Sequence, residues 1–272
     1  MIKDLLEQID NLPPLPQTII EIEEFRKNSK KDVDELLKII EKDALIISTL
    51  LKVSNSTMFG FRSKIETPSK VINLLGIHFT IFIAINETIQ NMLRTDLEPY
   101  EITSEEFREA SNISSLFTNV WLSTINNEFK EELLLASLLQ EVGKFILSEL
   151  LIIKNKSNDF LKELKEGREI NELEKKFLGL TTSKATAEIF RHWKLSDNLI
   201  KIIEFVDEID CCEEEYKLKS QILDVIKTVC NPRELFTESS IEKALIKADK
   251  YKLEKRPLVD AIIFVRNKVK NT

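Results

Sequence analysis

The chain has few of the residues that interrupt helices or build metal and disulfide sites. Its 272 residues include five Gly, seven Pro, three Cys and two His. Five scattered Gly exclude a Gly-rich phosphate loop. Two His are too few for a His-rich hydrolytic metal centre, and we expect no metal and no cofactor. Three Cys cannot form a framework of several disulfides, which favours a reducing, cytoplasmic compartment.

The chain also lacks an excess of positive charge and a long apolar run. Lys and Arg number 39 against 46 Asp and Glu, a net charge of −7, and no extended basic block breaks this balance. Nucleic acid is therefore not an expected partner. The longest apolar run, 74–85, is too short to span a bilayer, and residues 1–10 contain no apolar signal segment. We expect neither membrane insertion nor secretion.

The residue types and spacings that are abundant in the chain favour helices. Val33, Leu36, Leu37 and Ile40 recur with the spacing of one helical face. Thr67-Pro68 predicts a helix start and Gly76 its end, while Thr103 with Glu106 predicts a capping box. A second capping box is predicted for Ser239 with Glu242, and a further helix start at Asn231-Pro232. The predicted fold class is all-α, a two-lobed multi-helix bundle.

A polar segment containing Pro99 predicts the internal boundary. The expected organisation is an N-terminal helical lobe over 1–93, a linker over 94–102, and a second lobe over 103–272 with a C-terminal extension after Cys230. Cys211 and Cys212 are adjacent and lack the spacing that lets two sulfurs reach one ion, so free thiols are expected.

Several marks in one order carry a family resemblance. The entry segment Leu12–Pro16 (LPPLP) is followed by Asp43, by Asn55-Ser56, by Phe59-Gly60 and by Leu75-Gly76. This region resembles the HDOD domain, a bacterial signalling module related to the HD phosphohydrolases. The segment 133–147 (LLLASLLQEVGKFIL) is similar to the HD-enzyme helix that carries the His-Asp pair. The resemblance implies an all-α HDOD lobe followed by a degenerate HD-like lobe.

The departures from the HD pattern bear on activity. Gln140-Glu141 stands at the His-Asp pair, although Gly143-Lys144 is retained. Thr182 and Val206-Asp207 stand where relatives carry further His, and no His lies near Glu109. The resemblance thus implies a vestigial site at Gln140, Glu141, Thr182 and Asp207 that lacks imidazole ligands. Lys144 is a candidate anion contact. A weak Mg²⁺ site from Glu141, Glu109 and Asp207 is a further alternative.

The function implied by the resemblance is regulatory. We expect a non-catalytic bacterial signal-transduction protein that docks an unidentified signalling partner through its HDOD lobe. The candidate interaction surface is Asn55, Ser56, Phe59 and Gly60, although Asn55 has an equally ordinary role in capping a turn. Two alternatives remain open. The vestigial pocket could sense a nucleotide, or the protein could be a metal-dependent phosphohydrolase with a non-standard site.

Overall fold

A computed structural model describes residues 2–28, 32–55, 61, 63–93 and 95–270 of the chain. All regular structure in these ranges is helical, and they contain no β-strand. The all-α prediction is therefore confirmed. Ser56, Phe59 and Gly60, three members of the candidate interaction surface, lie outside the described residues.

The first six helices precede a 3₁₀ turn at Glu98–Tyr100, and the other ten follow it. They are α1 (Ile2–Asp10), α2 (Gln17–Lys27), α3 (Val33–Ile40), α4 (Ala44–Ser54), α5 (Pro68–Leu75) and α6 (Ile77–Met92). The ten are α7 (Ser104–Leu122), α8 (Asn127–Leu139), α9 (Gly143–Ile153), α10 (Ser157–Lys165), α11 (Ile170–Leu178), α12 (Thr182–His192), α13 (Asp197–Glu204), α14 (Glu214–Val229), α15 (Glu238–Lys250) and α16 (Lys255–Lys270).

The helices form two compact units whose division differs from the sequence-based one. One unit is Pro13–Leu93, and the other combines Met1–Leu12 with Arg94–Thr272. Helix α1, which the sequence assigned to the N-terminal lobe, packs on α9 and α12 of the larger unit. The reason is its apolar stripe, since Leu5 and Ile9 are buried there. Lys154, which follows α9, also pairs with Asp4 of α1.

The described part of the predicted linker, 95–102, is packed within the larger unit and is not a solvated connection. Leu97, Pro99 and Tyr100 are buried in and beside its 3₁₀ turn. The Tyr100 ring packs edge-on against Phe160 with centroids 5.1 Å apart. Ser148 donates a hydrogen bond to the carbonyl of Asp96. The polar composition of this segment predicts a solvated linker. One aromatic residue and one Leu are nevertheless enough to bury a short segment.

Capping and backbone bonds define the smaller unit. The Asp43 carboxylate accepts from the amides of Leu45 and Ile46 at 2.9 and 3.2 Å and so begins α4. Thr67 caps α5, and Gly76 ends it with a φ of 82°. This is the helix predicted between Thr67 and Gly76. The apolar segment that follows forms the single helix α6.

Three local predictions hold or fail in the larger unit for physical reasons. Thr103 and Glu106 form the predicted capping box at the start of α7. The second predicted box is wrong: Thr237 caps α15 by accepting from the amide of Ser240 at 3.1 Å. The predicted helix start at Asn231-Pro232 is also wrong, because Asn231 accepts from the amide of Arg233 and closes a turn.

The centre of the larger unit is built from α8 and α9. Eight of the eleven α9 residues are buried, and the helix packs on α1, α10, α11 and α12. The extension after Cys230 belongs to this unit, with α15 on α14 and α16 on α7. All three Cys are free thiols. No single described helix is long and apolar enough to cross a membrane; α5 and α6 pass that test only as a pair bent by 120°.

Candidate functional site

The site forms where the start of α9 approaches the start of α12. A Cβ atom on Gly143 would lie 2.7 Å from the Thr186 amide nitrogen and closer still to the Thr182 carbonyl oxygen. Only Gly permits this approach without a backbone shift. The Gly143 amide donates to Thr186 Oγ1 at 2.8 Å, and that hydroxyl contacts the carbonyls of Gln140 and Thr182 at 3.0 and 2.9 Å. Gly143 therefore begins a close helix contact.

A cluster of charged side chains lies beside this contact. We call it the buried charge cluster and define it by three carboxylates and two ammonium groups: Glu141, Glu174, Asp207, Lys144 and Lys227. These residues come from four separate segments of the chain, since Glu141 and Lys144 are near neighbours, and they line the floor of one cleft. Charges so far from water persist only when they are paired.

Lys227 of α14 joins two of the carboxylates. Its Nζ donates to Asp207 Oδ1 at 2.7 Å. The same Nζ lies 3.0 Å from Glu141 Oε1, an ion-pair distance without hydrogen-bond alignment. Asp207 is fixed further by Ser183, whose amide donates to Oδ2 at 3.1 Å. Lys227 thus sits between the two carboxylates instead of extending into water.

Lys144 of α9 occupies the other side of Glu141. Its Nζ pairs with Glu141 Oε2 and lies 3.4 Å from Thr182 Oγ1. It also lies 5.4 Å from the centroid of the Tyr100 ring. The Lys144 side chain is only 3% exposed. Its charge is therefore engaged within the protein, whereas an anion contact would require it to be accessible.

The third carboxylate, Glu174 of α11, receives three neutral donors. The Thr182 amide and hydroxyl donate at 2.6 and 2.5 Å. The Tyr100 hydroxyl donates at 3.0 Å. Glu174 is fully buried, and it connects the segment around Tyr100 to the start of α12.

The electrostatic environment differs among the three acids. Burial opposes ionisation of Glu141 and Asp207, but the ammonium groups outweigh it and hold the pKa of each carboxyl below its usual range. Burial dominates at Glu174 and raises the pKa of that carboxyl. Burial also disfavours the Lys227 charge, yet Asp207 and Glu141 raise the pKa of this ammonium well above its ordinary value. The cluster therefore contains two stable ion pairs and one acid that resists ionisation.

The structure brings together most of the sequence-predicted vestigial site. Glu141, Thr182 and Asp207 all belong to the cluster or contact it. Gln140 is 1% exposed, and neither of its side-chain amide atoms has a hydrogen-bond partner within the described protein. Glu109, the third member of the alternative Mg²⁺ site, is exposed on α7.

Three residues of the site were not predicted from the sequence. Lys227, Glu174 and Tyr100 lie more than 30 residues from Glu141 in the chain, in segments without a recognisable motif. The one available signal was Tyr100, an aromatic residue in an otherwise polar segment. Its partner Glu174 is fixed by tertiary packing alone.

The residues do not fit the divalent metal that the HD fold implies. Such a metal would need the carboxylate oxygens of Glu141 and Asp207 as ligands, and Lys227 Nζ lies 3.0 and 2.7 Å from those oxygens. An ammonium group and a divalent cation cannot share that space. Within the described ranges, no three His, Cys, Asp or Glu side chains are grouped as a metal site.

The cleft above the cluster is large and contains balanced charges. Its volume is about 760 Å³, and eight Lys or Arg and eight Asp or Glu residues line it. Many of these are already paired, as Lys247 is with Asp224 at 2.6 Å and Lys243 with Glu169 at 3.2 Å. Tyr251 also donates to Asp224 at 2.6 Å. The cleft could hold a small molecule.

Asn55 is the described residue of the candidate interaction surface in the smaller unit. Its side-chain amide donates to the carbonyls of Leu51 and Ile65 at 2.8 and 2.7 Å, and its oxygen accepts from the Ile65 amide at 2.8 Å. Asn55 therefore ends α4 and fixes the backbone at Ile65. These bonds are the capping role weighed in the sequence.

Comparisons with known proteins match this fold. The family model for the HDOD domain matches residues 12–209. A match to an uncharacterised protein of Treponema pallidum (strain Nichols) is 22% identical over 222 residues; it covers 78% of this chain and 41% of that protein. The chain thus spans less than half the length of this curated relative.

Solved structures agree over nearly the whole chain. A virulence factor of Campylobacter jejuni subsp. jejuni is 25% identical with a TM-score of 0.58, covering 98% of this chain and 99% of that one. A provisionally named phosphohydrolase of Shewanella amazonensis SB2B is 18% identical with a TM-score of 0.70, covering 97% and 93%. A provisionally named signal transduction protein of Marinobacter aquaeolei VT8 is 15% identical with a TM-score of 0.77, covering 96% and 58%. Together with the family match, these findings show that the chain belongs to the HDOD domain family.

Proposed function

We propose that this protein is a non-hydrolytic HDOD signalling regulator that acts by docking a signalling protein. The observation that carries the proposal is the position of Lys227 between Glu141 and Asp207. In an HD phosphohydrolase the reaction depends on a metal that activates water and stabilises the developing phosphate charge. Here an ammonium group paired with both carboxylates occupies the space between them, and it cannot activate water by coordination as a metal does.

Two further features support a regulatory role. The lysines and acids of the cluster neutralise one another across four segments of the larger unit, which is typical of a structural network rather than a poised catalytic site. The family match extends from the LPPLP entry segment to residue 209. One of the solved structures with this fold is provisionally named a signal transduction protein.

The docking part of the proposal concerns the smaller unit. That unit has little buried charge and exposes large apolar side chains, with Leu45 70% and Leu74 54% exposed. Apolar side chains that water surrounds are common in protein interfaces. We expect the partner to contact this unit, with Asn55, Ser56, Phe59 and Gly60 as the candidate surface.

A paired assay tests the proposal. The purified protein is incubated with Mg²⁺, Mn²⁺ or Fe²⁺ and with a panel of phosphomonoesters, phosphodiesters and cyclic dinucleotides, and its metal content is measured. We expect no bound metal in stoichiometric amount and no turnover above that of a Glu141→Ala, Asp207→Ala variant. Turnover that this double variant abolishes would show that the protein is a phosphohydrolase.

Docking is tested separately by capture from the native host followed by mass spectrometry. The wild type is compared with Leu45→Arg, and with Leu218→Arg as a matched control in the other unit, where Leu218 is 44% exposed. A signalling protein retained by wild type and Leu218→Arg but lost with Leu45→Arg would support docking through the smaller unit. Equal retention by all three would contradict it.

The cleft favours a second candidate function, the sensing of a small molecule without hydrolysis. Its volume of about 760 Å³ lies within the range that binds drug-sized ligands. Arg168 and Lys250 on its wall could meet a phosphate: the Arg168 side chain is 56% exposed, although it pairs with Glu163 at 3.4 Å, whereas Lys144 and Lys227 on the floor are held by buried carboxylates. Thermal shift with a nucleotide panel tests this candidate. A shift that Arg168→Ala reduces would favour sensing, and no shift with any nucleotide would count against it.

A further inference from the structure

We propose that Lys227, with Lys144, is a permanent internal cation that replaces the HD-site metal, and that removing the Lys227 ammonium converts the cluster into a binding site for a hard divalent cation. The inference deepens the proposed function and rests on it, because it names what closes the site to metal. It concerns five residues whose contacts are all within the larger unit.

The geometry of Glu141 is the first argument. One carboxylate oxygen faces Lys227 at 3.0 Å, and the other pairs with Lys144. A carboxylate that bridges two metal ions has one cation at each oxygen. Glu141 has one ammonium group at each oxygen in the same way. Lys227 in turn reaches Asp207 at 2.7 Å, so its ammonium occupies the point at which two carboxylates from different segments converge.

The charge count is the second argument. Glu141 and Asp207 are the carboxylates that pair with Lys144 and Lys227, so these four charges balance. Removing Lys227 leaves two carboxylates and one ammonium, a net charge of −1. Such a site attracts a divalent cation, and burial strengthens the attraction. With Lys227 present, an entering cation would meet two ammonium groups at close range.

The donor atoms are the third argument. The oxygens that face Lys227 are those of Glu141 and Asp207, whereas the Glu174 oxygens already accept from Thr182 and Tyr100. The cluster contains neither His nor Cys. Oxygen donors select hard cations such as Mg²⁺, Mn²⁺ and Ca²⁺ over Zn²⁺. One orphaned group adjoins the cluster in sequence, the fully buried side-chain amide of Gln140.

The test measures Mn²⁺ binding by electron paramagnetic resonance and by calorimetry, and thermal stability with and without Mn²⁺. The variants are Lys227→Ala and Lys227→Gln, since Gln removes the charge but keeps a hydrogen-bond donor and most of the volume. We expect both to bind one Mn²⁺ with a dissociation constant below about 1 mM. We expect wild type to bind at least ~10-fold more weakly. Saturating Mn²⁺ should raise the Tm of the variants by roughly 5–10 °C.

Two controls make the result specific. In Lys227→Ala, Asp207→Asn, one proposed ligand is also lost, and binding should fall to the wild-type level. Lys247→Ala removes another lysine of the same cleft, one that pairs with Asp224 outside the cluster. This variant should bind Mn²⁺ no better than wild type. Equal Mn²⁺ binding by Lys247→Ala and Lys227→Ala would overturn the proposal, because any acid of the cleft that loses its lysine would then suffice.

The remaining outcomes also decide the matter. If Lys227→Ala is unfolded in chelator and folds in Mn²⁺, the cation replaces the ammonium and the proposal is supported. If both Lys227 variants stay folded or stay unfolded without responding to Mn²⁺, the proposal is overturned. That result would leave the proposed function intact, since wild type would still lack hydrolysis. Hydrolysis by wild type would overturn the proposed function whatever the Lys227 variants do.

Discussion

The two compact units fix their critical segments by different means. In the smaller unit, Asn55 ties α4 to Ile65 by three hydrogen bonds between a neutral amide and the backbone. In the larger unit, ion pairs between Lys227, Asp207 and Glu141 tie α14 to the segments that precede α9 and follow α13. A neutral amide clamp tolerates partial exposure, whereas paired charges in the interior fail if either partner is removed. Stability and function should therefore respond differently to mutation and to pH in the two units.

Lys227→Met should produce the largest effect. The variant leaves Asp207 and Glu141 buried with only Lys144 to compensate them, and we expect the free energy of unfolding to fall by about 3 kcal/mol. Chemical denaturation at pH 7 measures the change. Lys247→Met, which breaks a pair with Asp224 at the cleft wall, is the matched control. Equal losses in the two variants would mean that the ion pairs of the cluster stabilise the protein no more than the pair at the cleft wall.

Gly143→Ala should have the next largest effect. The new methyl group would press on the backbone of Thr182 and Thr186, and neither atom can rotate away as a side chain can. We expect a loss of about 2 kcal/mol in the free energy of unfolding. Ile152→Ala on the same helix is the control, because Ile152 is exposed and its truncation should change little. A Gly143→Ala protein as stable as wild type would contradict the close approach of α9 and α12.

Asn55→Ala should have a smaller effect, confined to the smaller unit. It removes three hydrogen bonds near the surface, and we expect a loss of about 1–2 kcal/mol. Hydrogen exchange should show reduced protection of the Ile65 amide, whose acceptor is the Asn55 oxygen. Asn55→Asp keeps an acceptor for that amide and should retain its protection. Undiminished protection in Asn55→Ala would show that the segment is fixed by other contacts.

The pH dependence of stability should show the smallest difference. The pKa of Asp207 is lower in the folded protein than in the unfolded chain, because Lys227 outweighs the effect of burial. Its contribution is present above the unfolded pKa of about 3.9 and is lost as the pH falls through lower values. We expect wild type to lose more stability than Asp207→Asn between pH 6 and pH 3, measured by urea denaturation.

Glu174 should oppose that trend. Burial raises the pKa of this carboxyl, so it gains a proton more readily when folded, and its contribution favours the folded state at low pH. Glu174→Gln should therefore steepen the loss of stability on acidification. Its amide can still accept from the Thr182 amide and donate to the Tyr100 hydroxyl, which keeps the packing comparable. A flatter pH profile in this variant would contradict the assigned sign.

Helix ends are predicted best where one short segment contains the residues that form them. Thr67 and Gly76 mark the start and the end of α5, and Thr103 with Glu106 marks the start of α7. Each N-cap side chain and the amide from which it accepts lie within one turn. The prediction of Ser239 as a cap is wrong because Thr237, two residues earlier, has a similar hydroxyl and starts the helix by accepting from the Ser240 amide. The resemblance located Glu141, Thr182 and Asp207, and the structure brings these three together around the two lysines.

The sequence alone determined the helical class, several helix ends and the loss of imidazoles from the HD positions, because these depend on residue type and short spacing. Only the tertiary structure showed that α1 packs with the larger unit, that Tyr100 is buried in a polar segment, and that Lys227 occupies the space between Glu141 and Asp207. Each of these depends on residues that meet across long stretches of chain. A lysine on an isolated helix is ordinarily a solvated charge. Lys227 is an internal cation because it packs against buried carboxylates, and the sequence around Lys227 does not predict these neighbours.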